Sequence, residues 1–148
     1  MGHRKFAVRL ALALVAALAL AAPVHAAGAT AVEIEVTGVF GGPETFTTTG
    51  GVLCPSGTAT TEISHFGGSD HSAAGSFHGE KTLVCADGSG TFTITFDAAT
   101  VYGSPQDQGG WHVVGGTGAY ETLRGGGNLV GTYIPDGIVD HFTGRVKT

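Results

Sequence analysis

Apolar and polar residues alternate with a period of two through much of the chain beyond residue 30. Val32, Ile34 and Val36 interleave with Glu33, Glu35 and Thr37, and Phe92, Ile94 and Phe96 interleave with Thr91, Thr93 and Thr95. Successive side chains of a strand point to opposite faces, so each run predicts a strand with one buried and one solvated side. Further β-rich runs cover Phe46–Thr49, Thr58–Phe66, Ser76–Cys85, Trp111–Val114, Asn128–Ile134 and Ile138–Val146. Val52–Cys54 is a short apolar piece stopped by Pro55-Ser56-Gly57. Ala86-Asp87-Gly88-Ser89 carries the Asp-Gly pair of a tight hairpin, and Pro135-Asp136-Gly137 reads as a turn. Gly67–Ser72 reads as a loop, and Ala98–Gly110, with Tyr102 and Pro105, as a connection. Gly115–Gly118 predicts a turn with several positive φ values, followed by one helical turn over Ala119–Arg124. Eight short strands separated by glycine turns predict an all-β barrel or sandwich.

The first residues follow a different pattern. Arg4, Lys5 and Arg9 precede an unbroken Leu/Ala/Val run from Leu10 to Ala22, and Pro23 ends it. That run suits the apolar segment of a secretory signal and is shorter than the ~20 residues of a membrane span. Val24-His25-Ala26 offers small residues for cleavage, so residues 1–26 are expected to be a signal-peptide helix and residues 27–148 a single exported domain.

Cleavage changes the charge. The whole chain has a formal net charge of −5. Beyond residue 26 only Lys81, Arg124, Arg145 and Lys147 stand against all 12 acidic residues, a formal charge of −8. Four scattered cations cannot neutralise a run of phosphates, which argues against nucleic acid and against an anionic membrane surface as partners. Cys54 and Cys85 would lie in an oxidising compartment, where an even pair is expected to form a disulfide.

Few motifs carry chemistry. The Gly115–Gly118 cluster lacks the Lys and the long following helix of a phosphate loop. The histidines after residue 26 (His65, His71, His78, His112 and His141) show no metal-ligand spacing, and no serine sits in a nucleophile elbow. Neither a metal nor a cofactor is expected. Asp140 and His141 are neighbours on a strand and point apart, so they do not form an acid–base pair.

Gly115-Gly116-Thr117-Gly118-Ala119-Tyr120, followed by Leu123-Arg124-Gly125-Gly126-Gly127, resembles the G-G-T-G-x-F/Y segment of the allene oxide cyclase and dirigent barrels, which also occurs in small secreted bacterial proteins of that barrel type. The likeness runs from Trp111 to Val146. It implies an eight-stranded antiparallel barrel of allene oxide cyclase-like, calycin-type architecture with an apolar cavity. It also implies a cyclase or isomerase that shapes an unstable substrate, or a dirigent-like protein that orients a bound intermediate. The acidic residue on the first strand of the cyclases and the proline after it have Glu33 or Glu35 and Pro43 as nearest counterparts. The alternation of Val32, Ile34 and Val36, however, turns both glutamates to solvent.

Phe92, Phe96, Trp111, Tyr133 and Phe142 are the large side chains best able to line a cavity, although an eight-stranded barrel can equally be filled by its side chains. The leading expectation is a secreted barrel that binds a small hydrophobic molecule. A confinement cyclase is the second, and an interaction or inhibitor module presenting the Cys54–Gly57 loop is the third.

Overall fold

The computed structural model describes residues 28–68, 75–100 and 103–148. The expected signal peptide, His71 in the Gly67–Ser72 loop, and Tyr102 lie outside these residues. The described chain forms eight strands: β1 (Thr30–Val39), β2 (Glu44–Thr49), β3 (Ser56–Gly67), β4 (Gly75–Cys85), β5 (Gly90–Thr100), β6 (Gln106–Gly118), β7 (Arg124–Ile134) and β8 (Gly137–Lys147). Each pairs antiparallel with the next, and β8 pairs with β1, closing a barrel.

The period-two runs account for the interior. Val32, Ile34 and Val36 are buried while Glu33, Glu35 and Thr37 are exposed. Phe92, Ile94 and Phe96 are buried in the same way on β5. The Asp-Gly hairpin joins β4 to β5: Gly88 takes a φ of 76° that suits glycine, and Ser89 N–H donates to Asp87 Oδ1 at 2.9 Å.

Several local expectations need correction. Gly115–Gly118 does not turn the chain; it extends β6 and pairs with β5, and only Gly118 of the four has positive φ. A side chain at Gly116 would collide with the Tyr120 carbonyl at 2.5 Å, so glycine is needed there for close backbone approach. Ala119–Thr122 is a turn and forms no helix. The Ala98–Gly110 connection is shorter than expected, because β5 runs to Thr100 and β6 starts at Gln106.

The two halves of the barrel are filled differently. At the end bearing the β2–β3, β4–β5 and β6–β7 turns, Phe92 stacks edge-on against Phe46 and Tyr120, with ring centroids 5.9 and 5.4 Å away. Leu123, Leu53 and Val146 complete this plug. The Cys54–Cys85 disulfide ties the β2–β3 loop to the end of β4, with Cα atoms 5.9 Å apart. Toward the other end the inward positions include Gly38, Ala59 and Ala98, which fill little space.

Candidate functional site: a cavity with an ionisable wall

Small inward residues leave a cavity of about 610 Å³ at the end of the barrel opposite the plug. This lies within the ~300–1,000 Å³ of small-molecule sites. Phe77, Phe96 and Leu129 supply apolar wall, and Val39, Phe40 and Ile63 stand exposed at its mouth. A β-bulge between Ile63 and His65 shapes that rim. It slips β3 by one residue, so Phe66 pairs with Phe77 and stacks on it at 5.0 Å.

Charged groups intrude into this apolar space. Lys81 is 3% exposed. It projects inward from β4, in phase with Leu83 and Cys85. Its ammonium donates to Glu44 Oε2 at 3.0 Å, to Asp140 Oδ2 at 3.1 Å and to Thr61 Oγ1 at 2.5 Å. Thr61 in turn donates to Glu44 Oε2 at 2.7 Å. These partners come from β2, β3 and β8, so the lysine links opposite walls of the barrel. Asp140 fits because it faces Gly131 across the β7–β8 pair; a Cβ at Gly131 would lie 2.7 Å from Asp140 Oδ1.

Asp107 forms a second polar group on β6. Tyr133 donates to its Oδ2 at 2.7 Å, and Thr100 donates to its Oδ1. Burial raises the Asp107 carboxyl above the ordinary carboxylate range, against the pull of the Tyr133 hydrogen bond. Burial also raises Asp140; Lys81 opposes that shift, while Glu44 and Asp107 reinforce it. Tyr133 is pushed up to about 12, chiefly by burial and further by Asp107, so it stays a neutral phenol and a donor. Among the described residues, no buried side-chain nitrogen or oxygen lacks a hydrogen-bond partner. The arrangement can therefore hold a polar group of a guest, or exchange a proton with it at Asp107 or Asp140.

The residues singled out in the sequence divide between the two halves. Phe96 and Tyr133 line the cavity, and Pro43 stands in its rim. Phe92, Trp111 and Phe142 do not line it. They pack in the core, where Trp111 meets Phe142 edge-on at 6.1 Å and donates its indole N–H to the Thr143 carbonyl at 3.2 Å. Glu33 and Glu35 are exposed outside the barrel, and Glu35 lies 3.6 Å from His141. Asp140 and His141 do face opposite ways. His65 and His78 border a smaller outer cleft, where His78 Nδ1 is 2.6 Å from Asp97 Oδ1.

The ionisable residues Lys81, Asp107 and Asp140 were not among the expected site residues. The signal that marks them is phase: Asp140 sits two residues from buried Phe142, and Lys81 two from buried Leu83. Comparison of the chain with protein-family models, with curated proteins and with solved structures finds no match in any of the three.

Proposed function

We propose that this chain is an exported β-barrel that binds a small, largely apolar molecule in the cavity at its open end. The observation that carries the reading is the 610 Å³ cavity, with its apolar wall and its buried Lys81, Asp107 and Asp140. Buried charges cost stability unless they are paired, and a purely structural core has no need of them. The signal-like residues 1–26 and the Cys54–Cys85 disulfide are compatible with export to an oxidising compartment. The interaction-module reading has less support, because exposed Val39, Phe40, Ile63 and Phe66 cluster at the end remote from the Cys54–Gly57 loop.

A second reading rests on one specific feature. Asp107 and Asp140 are carboxyls raised by burial inside a cavity, the condition in which a carboxyl works as a general acid or base. That favours a cyclase or isomerase acting by confinement, in line with the allene oxide cyclase-like resemblance, with these residues rather than Glu33 or Glu35 as its polar groups.

The test is a melting screen of the disulfide-bonded protein against a lipophilic library. A true ligand at 100 times its Kd should stabilise by about 2.7 kcal/mol. Ala98→Leu, which fills the cavity from its wall, should weaken that ligand at least tenfold while leaving the fold intact. No stabilising compound, or undiminished binding to Ala98→Leu, would overturn the reading.

A further inference from the structure

The polar groups in the cavity differ in what they can still offer a guest. An ammonium has three protons and no acceptor. All three Lys81 protons are taken, by Glu44, Asp140 and Thr61. Tyr133 and Thr100 spend their hydroxyl protons on Asp107. These donors are thus committed inside the protein. The acceptors are not, because each carboxylate oxygen has two lone pairs and Asp107 receives one hydrogen bond on each.

Charge points the same way. One buried ammonium stands among three carboxylates, Glu44, Asp107 and Asp140. Lys81 lies within ion-pair distance of Glu44 and Asp140 only. Asp107, 5% exposed, has no cationic partner among the described residues. Resting on the ligand-binding reading above, we infer that the cavity selects an amphiphilic amine, seating its ammonium against Asp107 and its apolar body along Phe96, Phe77 and Leu129.

The ammonium would supply Asp107 with the opposite charge it lacks, in surroundings where such pairs are strong. The upward shift of the Asp107 carboxyl is the effect expected of a buried anion without a counter-charge. The aromatic walls add to the preference, since ring faces attract cations; Lys81 already lies 5.8 Å from the Phe96 centroid. The formal charge of −8 beyond residue 26 draws cations toward the molecule as a whole. A fatty acid would meet the reverse: three carboxylates, with the Lys81, Thr61, Thr100 and Tyr133 donors already committed. A neutral alcohol would offer Asp107 a hydrogen bond and no charge.

The experiment compares decylamine, decanol and decanoate, three guests with one tail, by calorimetric titration of the disulfide-bonded protein below their micellar concentrations. The expected order is amine, then alcohol, then acid, with the amine at least tenfold tighter than the alcohol. Asp107→Asn keeps a group that can pair with Tyr133 and Thr100 but removes the charge. It should bring the amine to within about threefold of the alcohol. Equal or tighter binding of decanoate overturns the amine inference and leaves the ligand-binding reading standing. An undiminished amine preference in Asp107→Asn overturns the assignment to Asp107. Failure of all three guests to bind overturns the inference, and the library screen then decides the ligand-binding reading separately.

Discussion

Removing the Lys81 ammonium would leave Glu44, Asp140 and Asp107 sharing one buried space with no cation to offset them. Breaking a buried ion pair from one side costs about 3–5 kcal/mol, because an uncompensated charge remains. Lys81→Met should therefore lower unfolding stability by about that much near pH 7, as read from urea melts. The pH dependence has a defined sign. A carboxyl whose folded pKa lies above its unfolded value binds its proton more tightly when folded, so lowering the pH through the folded value favours folding. Asp107 and Asp140 are already raised by burial, and losing Lys81 raises Asp140 further. The deficit of Lys81→Met should thus narrow as the pH falls toward 4; a deficit that is flat or widens contradicts this account. At this scale the sequence was least legible. A lysine or aspartate in a strand is ordinarily read as solvent-facing, and the partners that neutralise Lys81 lie 37 residues upstream at Glu44 and on the last strand at Asp140.

Strands were more legible where both faces kept their character. Val32–Thr37 and Thr91–Phe96 alternate without interruption, and β1 and β5 follow them. The expectations failed where glycine replaced the side chains that carry the pattern. β6 and β7 hold Gly109, Gly110, Gly115, Gly116, Gly125, Gly126 and Gly127, so alternation is invisible there and the strands read as shorter than they are. Pairing with β5 and β8 overrides the weak strand preference of glycine. The cysteines were legible because an even pair in a chain expected to be exported reads as a disulfide. Their disulfide closes a loop with a sequence separation of 31, worth about 3–4 kcal/mol by the chain-entropy argument. Cys54→Ser with Cys85→Ser should cost about that much in urea melts while leaving guest affinity within twofold, since the bridge lies at the plugged end. A loss of guest binding as large as that from Ala98→Leu would show that the two halves of the barrel are not independent.

The described residues form a closed barrel with a packed end and a hollow end. Short strands separated by glycine turns read as a barrel or a sandwich, and the pairing of β8 with β1 makes it a closed barrel. The division between the halves was not legible, because it depends on which inward positions share a level across strands: Phe46, Phe92 and Tyr120 meet at one end, while Gly38, Ala59 and Ala98 lie toward the other. Register between distant strands sets those levels, and no local window of sequence contains it. The central claim is that the hollow end receives a small molecule. Backbone amide correlation spectra of the isotopically labelled protein, titrated with the tightest-binding compound of the lipophilic library, test it most directly. The account predicts shifts at Gly38, Thr61, Lys81, Ala98, Asp107 and Asp140, with Phe92, Tyr120 and Leu123 unmoved. Shifts confined to the outer surface or to the plugged end, or none at saturating guest, would contradict it.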